Sequence, residues 1–128
     1  MRKSLVEELL KQMELNDKIW CLTGDLGYKL LDPIRDKFPD RFVNCGASEF
    51  SMVGVAVGVA KMGKIPFVYS ITPFLIYRAF EMIRNYVDHE KIPVKLLGGG
   101  RDNDYHIDGF SHDSSDAKQI MNTFKNIK

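Results

Sequence analysis

The sequence lacks the features that mark several specialised classes of protein. Lysine and arginine number 18 and aspartate and glutamate 17, so no charge excess indicates a nucleic acid or an anionic membrane as partner. Lys61 and Lys64 interrupt the most apolar segment, which leaves no run of the ~20 residues that a membrane span needs. The first residues, MRKSLVEELL, are too charged for a secretory signal. We therefore expect a cytoplasmic protein that binds neither membrane nor nucleic acid.

Cysteine is also scarce. Cys21 and Cys45 are the two cysteines, and both lie in apolar segments without a metal-binding or redox motif, so we expect reduced, structural thiols. Four residues of one polar segment carry metal-ligating groups but share no helical face and no usual ligand spacing: His106, Asp108, His112 and Asp113. The glycines at 98–100 suggest a dinucleotide loop, but no helix pattern follows them. The sequence therefore predicts neither a metal site nor a dinucleotide site.

What the sequence does contain is an alternation of helical patterns with short apolar runs. Its 128 residues, 45% hydrophobic and 27% charged, suit one globular domain over residues 1–128. Strands are predicted at 18–23, 42–43, 65–69 and 93–97. Helices are predicted near the N-terminus and at 30–37, 48–62, 74–87 and 116–124. This alternation predicts an α/β fold with a doubly wound, mainly parallel sheet.

Several polar residues directly follow the predicted strands. Asp25, Glu49, Thr72 and the polar loop at 98–115 should meet at the carboxyl edge of the sheet, where ligands bind in such folds. Two structural alternatives stay open on the residues alone. A carboxylate in the first turn of a helix, such as Glu49, is stabilised by the helix dipole without doing chemistry. Asp25 is equally compatible with a solvated turn.

The segment RFVNCGASEFSMVGVAVGVAKMGKIPF resembles the glutamate-bearing motif of transketolase-type thiamine diphosphate enzymes. In their pyrimidine-binding domain a strand is followed by Gly-x-x-Glu, a small-residue helix and Gly-x-x-Pro, here Gly46–Glu49 and Gly63–Pro66. The resemblance implies the flavodoxin-like fold of that domain. It also implies that Glu49 is catalytic and binds the cofactor: its carboxyl would hydrogen-bond a ring nitrogen of the aminopyrimidine and favour the imino tautomer.

The segment PFLIYRAFEMIRN is similar to the part of the family that forms the pyrimidine pocket. The similarity implies that Phe74, Tyr77 and Phe80 line this pocket and that one of them stacks on the ring. Aromatic residues at helical spacing also suit a buried helix face, and that alternative stays open. Arg78 matches a family arginine expected to form a structural ion pair. Asp25, in the turn GDL, matches a turn at the edge of the active site and is counted among the cofactor-binding residues.

The segment DGFSH resembles the family loop Asp-Gly-x-Ser/Thr-His. The resemblance implies that His112 contacts the hydroxyls of the donor sugar, a task for which an imidazole that both donates and accepts hydrogen bonds is suited. The sequence departs from many transketolases at the head of this loop, where Gly100 takes the place of another histidine.

The resemblance implies a subunit rather than a whole enzyme. In the family a second domain with a GDG…N motif holds the diphosphate through Mg²⁺ or Ca²⁺, and this motif is missing here. The family's pyrimidine domain also continues beyond the position of Lys128, so we expect a domain truncated at its C-terminus. The expected partner is a diphosphate-binding transketolase subunit, in a hetero-oligomer with two of each. Gly54 and Gly58 each weaken the helix predicted at 48–62 by about 1 kcal/mol relative to alanine, which favours close packing against the sheet, another helix or another chain.

The implied reaction is the transfer of a two-carbon ketol unit between sugars or sugar phosphates, with thiamine diphosphate shared with the partner. Alternatives within the enzyme class are a deoxyxylulose-phosphate synthase-like protein and a beta-type subunit of a 2-oxoacid dehydrogenase. The alternative from another class is a non-catalytic binding or assembly module, or a truncated remnant of such an enzyme.

Overall fold

Four short apolar segments form one parallel sheet in the computed structural model, which describes residues 2–127. The strands are β1 (Ile19–Thr23), β2 (Phe42–Asn44), β3 (Ile65–Ile71) and β4 (Lys95–Gly99). They lie in the order β2-β1-β3-β4, and each neighbouring pair is parallel. The predicted parallel sheet is therefore confirmed. Because the chain passes from β2 across β1 to β3, the strand order reverses between β1 and β3, the place where ligands bind in folds of this kind.

Helices connect the strands. The structure has α1 (Arg2–Leu15), α2 (Asp32–Lys37), α3 (Glu49–Lys61), α4 (Phe80–Met82) and α5 (Ala117–Met121). Within the described residues, no helix is long and apolar enough to cross a membrane. Short 3₁₀ turns occur at Pro39–Arg41, His106–Asp108 and Phe110–His112.

The helices cover both faces of the sheet, as the doubly wound prediction requires. Successive residues of a strand point to opposite faces, and β1 divides accordingly. Cys21 packs with Met13 of α1 and Ile34 of α2, whereas Leu22 packs with Met52 of α3 and residues of the helix beyond β3. Burial raises the pKa of Cys21 to about 12, so this thiol stays protonated and unreactive at neutral pH.

The helix after β3 differs from the regular helix predicted at 74–87. Wide π-helical turns at Phe74–Arg78 and Ile83–His89 flank α4. A π-helical turn holds more residues than an α-helical turn, so it changes the directions of the side chains on either side of it. Although Phe74, Tyr77 and Phe80 are evenly spaced in the sequence, these turns do not place them on one common face of the helix.

The loop at 98–115 is also more ordered than its composition predicts. β4 extends to Gly99, two residues beyond the predicted strand. The backbone N–H and the hydroxyl of Ser114 both donate to the carbonyl of Asp102, at 2.9 and 3.1 Å. Two short helical turns lie between these residues, so the loop is tied at its base and carries its central residues outward.

Candidate functional site

A buried carboxyl lies at the carboxyl edge of the sheet, where the strand order reverses. Glu49 is the first residue of α3, and it is only 1% exposed. Gly24, the residue after β1, lies against this carboxyl. A Cβ atom at Gly24 would lie 3.1 Å from the Glu49 Oε1 atom. Ser70, near the end of β3, is fully buried on the other side. The ends of two central strands therefore enclose this carboxyl.

Both oxygens of the buried carboxyl accept hydrogen bonds. The Ser70 hydroxyl donates to Oε1 at 2.7 Å, and the Arg78 guanidinium donates to Oε2 at 2.9 Å. A buried carboxylate is costly unless it is paired and hydrogen-bonded, and here an arginine, a hydroxyl and the positive end of α3 compensate its charge. Glu49 is thus held in one orientation, with its carboxyl plane set by two donors from different elements.

A line of flat side chains leads from this carboxyl toward the loop. The Arg78 guanidinium carbon lies 3.8 Å from the centre of the Phe74 ring. The Phe74 ring meets the His112 imidazole in an edge arrangement, with ring centres 4.8 Å apart, and Tyr105 lies next to His112 at 6.2 Å. The structure therefore brings together three of the predicted site residues, Glu49, Phe74 and His112.

The loop that carries His112 explains why the sequence has glycine at position 100. Gly100 has φ +82°, a conformation that side chains disfavour. A Cβ atom there would lie 2.3 Å from the Tyr105 ring, which leaves no space for a histidine. Within the loop, the Ser111 hydroxyl and the Nδ1 atom of His112 are hydrogen-bonded at 3.0 Å.

Asp25 lies beside the carboxyl centre, but its own carboxyl is bound elsewhere. It directly follows Gly24 and has φ +58°. Its backbone N–H donates to Asn44 Oδ1 at 3.0 Å, and Asn44 Nδ2 donates back to Asp25 Oδ1 at 2.9 Å. This reciprocal pair joins the turn after β1 to the end of β2. The role of Asp25 in cofactor binding stays a prediction.

The other two predicted aromatic residues contact the C-terminal part of the chain. Tyr77 donates a hydrogen bond to Asp116, and burial together with this bond raises the pKa of Tyr77 to about 12. Phe80 packs on Phe124 with ring centres 5.4 Å apart. Neither contact points to the Glu49 carboxyl, so Phe74 is the aromatic residue that the structure places best for stacking near it.

Sequence reasoning missed Ser70 and Gly24, and it expected an ion pair for Arg78 without naming Glu49 as the partner. A weak signal for Ser70 was present, since it is a polar residue near the end of an otherwise apolar strand, IPFVYSI. Gly24 matters because it has no side chain where Glu49 and Ser70 pack against it, and only the fold reveals that close approach. In residues 2–127, no group of three or more His, Cys, Asp or Glu side chains is arranged to hold a metal ion.

Comparison with known families gives a match over the whole sequence. The profile of the family described as "Transketolase, pyrimidine binding domain" matches residues 1–128. The 6-deoxy-6-sulfo-D-fructose transketolase subunit of a Clostridium species is 31% identical over 122 residues, which cover 94% of this chain and 38% of that relative. An apulose-4-phosphate transketolase subunit of Actinobacillus succinogenes is 38% identical over 96 residues, which cover 75% of this chain and 31% of the relative.

Comparison with solved structures gives a consistent result. A split-gene transketolase, solved as an inactive beta4 tetramer, superposes with a TM-score of 0.83 at 32% identity, covering 98% of this chain and 40% of that one. This similarity confirms the expected α/β fold of the pyrimidine-binding domain. The chain spans about two fifths or less of the length of these relatives.

Proposed function

This chain belongs to the transketolase pyrimidine-binding domain family, and from that premise we propose that it is the pyrimidine-binding subunit of a split transketolase. The proposed reaction transfers a two-carbon ketol unit from a donor sugar or sugar phosphate to an acceptor. The observation that carries the proposal is the buried Glu49 carboxyl at the strand-order reversal, oriented by Ser70 and lying one side chain away from Phe74.

The residues around Glu49 suit the pyrimidine end of thiamine diphosphate. A carboxyl at the base and an aromatic ring one side chain away give one hydrogen-bonding group and one stacking surface, and Gly24 lets the backbone after β1 approach the carboxyl closely. When bound, thiamine diphosphate supplies the nucleophilic carbon that attacks the carbonyl of a ketose. The contribution of this chain is then to bind and orient the ring and to hold a proton at its nitrogen.

Each residue has a distinct task in this proposal. The Glu49 carboxyl holds the proton that it shares with the ring nitrogen, and the Ser70 hydroxyl keeps that carboxyl in its orientation. Phe74 stacks on the ring, and His112, in contact with Phe74, hydrogen-bonds hydroxyl groups of the donor sugar near the reacting carbon. Asp25, Tyr77 and Phe80 are proposed to shape the edges of the pocket through their contacts with Asn44, Asp116 and Phe124.

The diphosphate end of the cofactor is assigned to a partner. Two of the similar proteins are described as subunits of transketolases, which supports an assembly of more than one polypeptide. We propose a diphosphate-binding subunit that holds Mg²⁺ or Ca²⁺ together with the diphosphate, in a hetero-oligomer with two copies of each chain. Thiamine diphosphate would then lie between the two kinds of subunit.

The proposal is tested by a native pull-down of this chain from its own cells, with mass spectrometry of the captured proteins and an assay for bound thiamine diphosphate. We expect a partner related to the diphosphate-binding part of transketolase, with cofactor in the complex. The Glu49→Gln variant is the matched control. It should capture the same partner with less cofactor, because the changed carboxyl is buried inside this domain and bonded to its own residues Ser70 and Arg78.

A chain that captures no such partner and binds no thiamine diphosphate, even with added magnesium, would contradict the proposal. That result would favour a non-catalytic assembly module with the same fold. A captured partner with cofactor but without ketol transfer to an aldose acceptor would contradict the reaction and retain the cofactor assignment. Activity with pyruvate would instead indicate a deoxyxylulose-phosphate synthase or a 2-oxoacid dehydrogenase.

A further inference from the structure

One side chain, Arg78, contacts both groups that the proposed function assigns to the cofactor ring. Its Nη1 atom donates to Glu49 Oε2 at 2.9 Å. Its guanidinium carbon lies 3.8 Å from the centre of the Phe74 ring, a distance that corresponds to a stacked cation–π contact. The guanidinium therefore occupies a hydrogen-bond position on the carboxyl and covers the phenylalanine ring at the same time.

The chemistry of a guanidinium explains why it can take both positions. It is flat, positively charged and rich in N–H donors, so it stacks on an aromatic ring and pairs with a carboxylate. A protonated aminopyrimidine ring has the same three properties: it is planar, cationic and an N–H donor. The two groups therefore compete for the same partners, Glu49 and Phe74.

Burial differs sharply between the two members of this ion pair. The side chain of Glu49 is 1% exposed, whereas that of Arg78 is 48% exposed. The carboxylate needs a partner because it lies away from water, but the arginine can exchange its protein contacts for water. The pair can therefore open by movement of the arginine alone, without disturbing the core around α3.

We propose that Arg78 is a positioning residue whose guanidinium occupies the place of the cofactor ring on Glu49 and Phe74 while the ring is not bound. To bind, the ring must displace the guanidinium from both residues. This inference rests on the proposed function, which makes those two residues the partners of the ring. While the guanidinium is in place, it keeps the Glu49 carboxyl paired and oriented. The ring then binds only to the fraction of molecules in which the arginine has moved, which lowers its apparent affinity.

The test is a titration of the full chain with thiamine, which carries the aminopyrimidine without the diphosphate, followed by NMR chemical shifts. The Arg78→Met variant removes the competing group and keeps a flexible apolar stem. We expect it to bind thiamine roughly fivefold more tightly than wild type, because no displacement step opposes binding. Arg84→Met is the matched control, since Arg84 lies on the same helix, is exposed and hydrogen-bonds only its neighbour Asn85 among the described contacts. Its affinity should equal that of wild type.

The proposal would be overturned if Arg78→Met binds thiamine as tightly as wild type or less tightly. Equal binding would indicate a purely structural ion pair, and weaker binding would indicate a direct contact between Arg78 and the cofactor. If Arg78→Met does not fold, Arg78→Lys serves in its place. Lysine keeps the charge but lacks the flat stacking group, so tighter thiamine binding is again expected.

The Glu49→Gln variant distinguishes a failure of this inference from a failure of the proposed function. If Glu49→Gln weakens thiamine binding while Arg78→Met leaves it unchanged, the pyrimidine site stands and displacement of Arg78 is wrong. If neither substitution changes binding, both proposals fail.

Discussion

The two ends of the proposed site are built in opposite ways. Glu49 is almost fully buried, begins a 13-residue helix and accepts hydrogen bonds from a strand and from another helix. His112 is half-buried and lies in a loop of short turns, in the same 3₁₀ turn as Phe110, which is 91% exposed. Its described partners are Ser111 in the same loop and the rings of Phe74 and Tyr105.

This difference separates two kinds of chemical task. In the proposed function, the group that holds a proton at one ring nitrogen needs a fixed position, and the core of the domain provides it. A group that meets a sugar needs access from solvent, and a loop on a rigid scaffold provides that. Phe74 joins the two ends, because it contacts both Arg78, the partner of Glu49, and His112.

The largest effect is expected from Glu49→Gln in the proposed complex with the diphosphate-binding subunit. In the proposed mechanism the carboxyl shares a proton with the ring nitrogen, which an amide cannot give or take, so turnover should fall by roughly 10²- to 10⁴-fold, the usual size of an acid–base contribution. Steady-state kinetics measures the loss, and a circular dichroism spectrum unchanged from wild type shows that the fold is intact. Activity within tenfold of wild type would rule out the catalytic role of Glu49.

A smaller and more selective effect is expected from His112→Ala. Loss of the hydrogen bonds proposed between His112 and the donor sugar should raise the donor KM by about tenfold to a hundredfold, with little change in the affinity for thiamine diphosphate. His106 is the matched control, since it is an exposed histidine of the same loop, and His106→Ala should leave both constants unchanged. Equal effects of His112→Ala on sugar and cofactor would place His112 at the cofactor instead.

Two buried serines allow the contributions of the Glu49 end and the loop end to the free energy of unfolding to be compared. Ser70 donates to a carboxylate in the core, whereas Ser114 donates to a backbone carbonyl at the base of the loop. Ser70→Ala should lower the free energy of unfolding by about 1.5–3 kcal/mol, and Ser114→Ala by about 0.5–1.5 kcal/mol. Urea denaturation of both variants measures the difference. A larger loss for Ser114→Ala would show that the loop contributes more to stability than the carboxyl centre does.

The smallest effect is expected from Tyr77→Phe, which removes the hydrogen bond to Asp116. The free energy of unfolding should fall by less than about 1 kcal/mol, because the bond lies at the surface. Burial and this bond raise the pKa of Tyr77 to about 12, so its stabilising contribution is complete below pH 10 and is lost as the pH rises through 12. An ultraviolet pH titration should lose one late tyrosine step in the variant. An unchanged titration would place the raised pKa on another tyrosine.

Local patterns were sufficient to predict the fold class and which residues meet at the carboxyl edge of the sheet. Alternating apolar runs and helical patterns predicted the parallel, doubly wound sheet, because each period depends only on nearby residues. The rule that polar residues after parallel strands meet at one edge brought Glu49 and the His112 loop together. The structure is consistent with both, since Phe74 and Arg78 connect them.

What the sequence by itself determined was thus the alternation of strands and helices, the strand-to-helix position of Glu49 and the family of the chain. The tertiary structure alone decided which partners meet there: Ser70 and Arg78 on the carboxyl, Phe74 rather than Tyr77 or Phe80 beside it, and glycine at 100 beneath Tyr105. The physical reason is range. Helix and strand patterns are set within a few residues, whereas the hydrogen bonds that Ser70 and Arg78 donate to Glu49 join residues 21 and 29 positions apart. Wide turns in the helix after β3 also direct its aromatic side chains to different neighbours.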